Sequence, residues 1–143
     1  MIKSIRHTGI VVRDLTKELN FYQSLGFKVF SSAKEKGGFI DKVTGLNNTS
    51  LEWVKLKASD GCLLELLEYQ NPVRSERIKL QESNQLGCSH VAFGVTRIDQ
   101  TCKLISTLGG SIVNPPEISD DKKAKVAYCH DPEGVLMEIV EIL

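Results

Sequence analysis

No pair of cysteines in this chain has the spacing of a thiolate metal site. Cys62, Cys88, Cys102 and Cys129 are spaced by 26, 14 and 27 residues, so no Cys-x-x-Cys unit exists. Three of them stand in apolar runs, which suits small buried side chains better than a disulfide frame. Long hydrophobic runs are also missing: no segment approaches the ~20 apolar residues of a membrane span. The N-terminus lacks the basic-then-apolar stretch of a secretory signal. A reduced, cytoplasmic protein is therefore expected. Net charge is zero, with 18 basic and 18 acidic residues. That argues against a broad electrostatic footprint for nucleic acid or an anionic membrane. It leaves room for a local basic pocket that takes a phosphate or carboxylate. Gly37-Gly38 lacks the spacing of a phosphate-binding loop. The 143 residues, 41% hydrophobic and 25% charged, suffice for one globular domain with a real core.

The chain does contain a repeat. Ile5-Arg6-His7-Thr8-Gly9-Ile10-Val11-Val12 matches Cys88-Ser89-His90-Val91-Ala92-Phe93-Gly94-Val95. His7 and His90 are 83 positions apart, and so are Gly26 and Gly109. Further on, Asp60-Gly61-Cys62-Leu63-Leu64-Glu65-Leu66-Leu67-Glu68 matches Glu133 to Glu141 at an offset of 73. The difference places a longer internal loop in the first copy. The organisation expected is a single domain, 1–143, with module one at 1–69, a linker at 70–87 and module two at 88–143.

Each module reads as β-α-β-β-β. In the first, residues 4–12 form a strand and Asp14 caps a helix with Leu15, Leu19 and Tyr22 on one face. Gly26 ends that helix, and Phe27–Ser32 is a strand. Residues 34–50 are loop-like, with a helical turn near Phe39–Val43. Leu51–Lys57 and Cys62–Tyr69 are strands joined by Ser59-Asp60-Gly61. In the second, strands at 88–95, 111–113, 124–129 and 135–142 surround a helix near 97–108. Asp131-Pro132-Glu133-Gly134 is the last turn. The fold class is α+β, with hairpins closing each unit.

Strand alternation puts Ile5, His7, Gly9 and Val11 on one face and Cys88, His90, Ala92 and Gly94 on its counterpart. Leu63, Glu65 and Leu67 share a face, as do Leu136, Glu138 and Val140. A carboxylate among aliphatic neighbours is costly unless it is paired or binds a metal. Two imidazoles and two carboxylates, each repeated in register, suit one divalent ion. Glu68 and Glu141 compete for the same inward role, and alternation alone does not choose. His130 reads as a surface strand-end residue. Trp53 and Tyr69 read as core. The runs Lys34-Glu35-Lys36 and Asp120-Asp121-Lys122-Lys123 read as solvated loops.

These residues resemble the vicinal oxygen chelate superfamily, also called the glyoxalase/bleomycin-resistance/extradiol dioxygenase family. The markers are His7 to Leu15 with Phe21-Tyr22 and Leu25-Gly26-Phe27, Asp60-Gly61 with Leu64-Glu65-Leu66, Ser89 to Phe93, and Asp131 to Gly134 with Met137-Glu138-Ile139. The resemblance spans Ile5 to Glu141. It implies paired βαβββ modules in a cup-shaped, partly open antiparallel barrel-like sheet. It implies one divalent ion per site (Ni, Co, Zn, Mn or Fe) on His7, Glu65, His90 and Glu138, rather than on Glu68 and Glu141.

The two-His, two-Glu set is most similar to the lactoylglutathione lyase and methylmalonyl-CoA epimerase branches. A lyase or isomerase is thus implied, acting on a small substrate with vicinal oxygens through an enediolate-type intermediate. Glu138 is the implied base and Glu65 the second candidate. A homodimer is expected, with modules pairing within one chain or across two. The lactoylglutathione lyases commonly carry Arg four residues after the first ligand and Asn four after the first Glu. Val11 and Tyr69 stand there instead, a departure that concerns glutathione and not the metal. The alternatives are a non-catalytic binder of small molecules, as in bleomycin resistance, and an extradiol-type dioxygenase.

Overall fold

The computed structural model describes residues 1–74, 76 and 79–143. Within the expected linker, residues 75, 77 and 78 lie outside the described residues. The chain divides into two compact units, Met1–Glu76 and Arg77–Leu143.

The first unit runs β1 (Thr8–Val12), α1 (Leu15–Ser24), β2 (Lys28–Lys36), α2 (Gly38–Thr44), β3 (Ser50–Lys57) and β4 (Leu63–Asn71). Its sheet has the order β1-β4-β3-β2. β2, β3 and β4 are antiparallel, while β1 lies parallel to β4. One face of the sheet is core: Ile10 and Val12, Val54 and Leu56, Leu64 and Leu66 are all buried. The apolar stripe of α1, with Leu15, Phe21 and Tyr22, is buried with them. Asp14 caps this helix by accepting from the Lys17 N–H at 2.9 Å, as the sequence leads one to expect. Gly26 follows the helix at φ 106°, a left-handed position that favours glycine.

The second unit runs β5 (Val91–Gly94), α3 (Ile98–Thr107), β6 (Ser111–Ile112), β7 (Glu117–Ile118), β8 (Ala124–His130) and β9 (Leu136–Ile142). β5 is parallel to β9 and the other pairings are antiparallel. The class is therefore α+β, built on two sheets of four and five strands. Each sheet is mixed: its first strand runs parallel to its last, and hairpins supply the rest.

Several boundaries differ from the sequence reading. β1 starts at Thr8 and β5 at Val91, where pairing with Leu64 of β4 and Met137 of β9 begins. Ile5, expected on the strand, is 90% exposed. β2 continues to Lys36, through a run read as a solvated loop. Cross-strand partners hold it there: Lys34 pairs with Glu52 at 3.2 Å, and Glu35 accepts from the Trp53 indole N–H at 2.7 Å. Such facing pairs stabilise a sheet edge that composition alone makes polar. The helical turn expected near Phe39 is a seven-residue helix. The loop 114–122 contains β7, which shares β8 as partner with β6. Of the four cysteines only Cys102 and Cys129 are buried; Cys62 and Cys88 are exposed. Burial pushes the Cys129 thiol up to about 12, so it packs as an inert small side chain.

Candidate metal centre

The two units place their repeated residues in one register. In the first, Gly9 lies opposite Glu65 across the parallel β1–β4 pair. In the second, Ala92 lies opposite Glu138 across β5–β9. His7 and His90 stand two residues before Gly9 and Ala92, so each imidazole reaches the carboxylate of its own unit. His7 Nε2 is 3.0 Å from Glu65 Oε2. His90 Nε2 is 3.3 Å from Glu138 Oε2. A methyl group added at Gly9 would meet Leu67 Cδ1 at 3.4 Å and Glu65 Oε2 at 4.0 Å, both ordinary contacts. Both histidines are outside regular strand, just before β1 and β5.

The competing carboxylates have another task. Glu68 Oε2 accepts from the Leu15 N–H at 3.0 Å, and Glu141 Oε2 accepts from the Ile98 N–H at 2.9 Å. These are the first residues of α1 and α3. An orphan N–H at a helix start is thus satisfied from the adjoining strand in both units. The second glutamate of each repeat is spent on a helix end, on the face opposite the imidazole. Asp14 assists at α1, but Arg97, at the N-cap of α3, makes no side-chain cap bond. Glu141→Ala should therefore destabilise the fold by about 1–2 kcal/mol, and Glu68→Ala by less. Denaturant titration of both variants checks the order, and equal losses would show that Asp14 adds nothing.

The two pairs differ in their surroundings. Ser89 Oγ lies 2.8 Å from His90 Nδ1 and the Tyr128 ring meets the imidazole edge-on, with centroids 5.1 Å apart. Such outer contacts orient an imidazole and leave Nε2 for another partner. In the first unit Lys55 stands opposite Glu65 on β3. Its Nζ is 3.3 Å from Glu65 Oε1 and 4.5 Å from the centre of the Trp53 ring. The position equivalent to Lys55 in the second unit is Tyr128, opposite Glu138. Sequence reading passed over Lys55, although the turn contained the signal. Lys55 and Glu65 are each five residues from Asp60, so a hairpin centred there must face them.

Other expectations change. His130 is buried: its Nε2 donates to the Gln81 carbonyl at 2.8 Å, and its Nδ1 is 3.3 Å from Ser111 Oγ. Gln81 makes it so, because it also binds the last hairpin through Gly134 O and the Leu136 N–H. Trp53 and Tyr69 are half-buried and do not belong to the core.

Among the described residues no cluster of three or more His, Cys, Asp and Glu side chains forms a ready metal cage. Each unit offers one imidazole–carboxylate pair. The spacing of each pair suits neighbouring ligands of one ion. Donors about 2.1 Å from a metal, at angles of about 90–110°, lie about 3.0–3.4 Å apart.

Two modules of one design, each with a histidine and a glutamate in register, define a class of small α+β proteins with repeated imidazole–carboxylate pairs. The chain belongs to the Glyoxalase/Bleomycin resistance protein/Dioxygenase superfamily, whose sequence model matches residues 4–139. It is 28% identical to a probable lactoylglutathione lyase of Synechocystis, over 94% of this chain and 92% of that protein. It is 25% identical to a probable lactoylglutathione lyase of Vibrio cholerae, over 96% of this chain and 89% of the relative. A glyoxalase family protein from Bacillus cereus has the same fold, with a TM-score of 0.91 at 24% identity, covering 100% of this chain and 96% of that one. The fosfomycin resistance protein FosX of Listeria monocytogenes, solved with Mn(II) and sulfate, superposes with a TM-score of 0.65 at 18% identity, over 100% and 95% of the two chains. Among the described residues, no helix is long and apolar enough to cross a membrane.

Proposed function

We propose that this protein is a metal-dependent lyase or isomerase, with His7, Glu65, His90 and Glu138 as ligands of one divalent ion. The observation that carries the reading is the twin pair: imidazole and carboxylate at ligand spacing, once in each unit, at matched register. The chemistry of the donor set suits Ni, Co, Zn, Mn or Fe. When bound, such an ion supplies Lewis acidity to a small substrate with two neighbouring oxygens. His7 and His90 bind through Nε2, and Ser89 holds the second ring in place. Glu138 accepts the proton from the carbon next to the substrate carbonyl, and the same carboxylate returns it. Glu65 shares its two oxygens between His7 and Lys55, which suits a fixed ligand better than a mobile base. A homodimer is the assembly we propose.

The names of the curated relatives support the lyase class, and the presence of all four donors separates this reading from metal-free binding. The test starts with metal analysis of protein purified without chelator. A screen of methylglyoxal–thiol adducts and acyl-CoA epimers follows. One ion per chain and turnover of either class support the proposal. Ferrous ion with oxygen consumption would replace it by a dioxygenase, and metal-free protein that binds but does not convert would replace it by a carrier.

The substrate can be narrowed further. Val11 and Tyr69 occupy the positions where glutathione-using relatives commonly carry Arg and Asn. Val11 is 57% exposed on the His7 side of β1, so this face offers an apolar side chain where a carboxylate would need a cation. Turnover of the methylglyoxal–glutathione hemithioacetal should fall below the usual enzyme range, about 10⁴–10⁸ M⁻¹s⁻¹ in kcat/KM. A steady-state assay of that hemithioacetal decides it, and a value inside that range would show that other residues hold glutathione.

A further inference from the structure

Lys55 places a charge against one carboxylate of the two matched pairs. Glu65 faces Lys55 and Glu138 faces Tyr128. The ammonium is drawn in beside Glu65, with the side chain 22% exposed, and its other near neighbour is the Trp53 ring. A half-buried lysine is costly unless its charge is used. Glu65 uses it while that carboxylate has only His7 and Lys55 as partners. In the ligand set proposed above, on which this inference rests, the charges add differently. Two neutral imidazoles, two carboxylates and a divalent ion make a neutral unit. Lys55 then stands as a positive charge in excess, on the first-unit side alone.

We infer that Lys55 is the anion-recognition residue of this site, selecting substrates with a carboxylate or similar anionic oxygen beside the two chelating oxygens. The flexible stem lets Nζ leave Glu65 Oε1 for a ligand oxygen without moving the strand, since Lys55 is held by its backbone register to Glu65. The aromatic face of Trp53 keeps the ammonium near the site during the exchange. The positive charge sits against Glu65, whereas Glu138 faces the neutral Tyr128.

The test uses two small chelators of equal shape, oxalate (a dianion) and oxamide (its neutral diamide), on the full chain. Metal content is measured first, then binding of each compound to wild type, Lys55→Met and Lys55→Arg by calorimetry. Trp53, the sole tryptophan, reports the local change through its fluorescence. Wild type should bind oxalate about 10–100-fold more tightly than Lys55→Met, the range for a charged hydrogen bond. Oxamide should bind both alike, and Lys55→Arg should keep most of the oxalate affinity. Oxalate binding that is unchanged in a metal-loaded Lys55→Met overturns the inference and leaves the metal reading standing. A wild type that holds no divalent ion overturns both, and the metal analysis shows which has happened. Should Lys55→Met fail to fold, Lys55→Gln serves the same comparison.

Discussion

On the proposed four-ligand centre, Glu65→Ala and His90→Ala should each abolish binding of the divalent ion. Wild type prepared without chelator should carry about one ion per chain. Each variant should carry a small fraction of that, because removing even an outer partner of a ligand costs about 10–100-fold in affinity and a direct donor costs at least as much. The two variants report on different units, so loss in both ties the units to one ion. Loss in one alone would mean that a single pair binds and the other is structural. Glu65→Ala also strands Lys55 beside a missing carboxylate, so its fold needs a check by circular dichroism and thermal unfolding. His90→Ala likewise leaves Glu138 without its imidazole partner, so its fold needs the same check. Glu68→Ala is the matched control: it loses a helix contact on the opposite face and should keep its metal. Full occupancy in both site variants would sink the four-ligand set.

Repetition marked the four candidate residues before any coordinates. A histidine and a glutamate that recur at fixed offsets must occupy equivalent places in equivalent modules, and the register of Gly9 with Glu65 and Ala92 with Glu138 bears that out. The same repetition misled in one respect. It duplicated Glu68 and Glu141 as faithfully as Glu65 and Glu138, because a helix start needs an acceptor in each module just as a site needs a donor. Alternation separates the two sets but does not say which face is core. The helix contacts of Glu68 and Glu141 do.

What stayed hidden depended on partners far along the chain. The end of β2 is set by Glu52 and Trp53, residues that a local reading of Lys34-Glu35-Lys36 does not include. The burial of His130 depends on Gln81, which lies 49 residues earlier. Lys55 was visible in principle, through the turn at Asp60, but only by counting outward from that turn. Polar side chains whose role comes from cross-strand register lack a periodic signature of their own. The helices and turns were the easiest to read, because Asp14, Gly26 and Asp60 act within a few residues.

Glu138→Gln should separate metal binding from chemistry. Both oxygens of Glu65 are engaged, one by His7 and one by Lys55. Glu138 gives Oε2 to His90 at 3.3 Å, and its Oε1 has no partner among the described residues. A carboxylate with one oxygen committed and one open can hold its place and still receive a proton. The amide keeps an oxygen for the ion and loses the acceptor. Metal content should therefore stay measurable, with weaker affinity, while turnover falls about 10²–10⁴-fold, the usual cost of removing a general base. Glu141→Gln keeps an oxygen for the Ile98 N–H and should remain within a few-fold of wild type. Both rates are taken on whichever substrate the screen finds, beside metal analysis of the same samples. Near-normal turnover in Glu138→Gln would move the base to Glu65 or to a group on the substrate. In that case Lys55→Met should change the rate more than Glu138→Gln does, because it alters the surroundings of the remaining carboxylate.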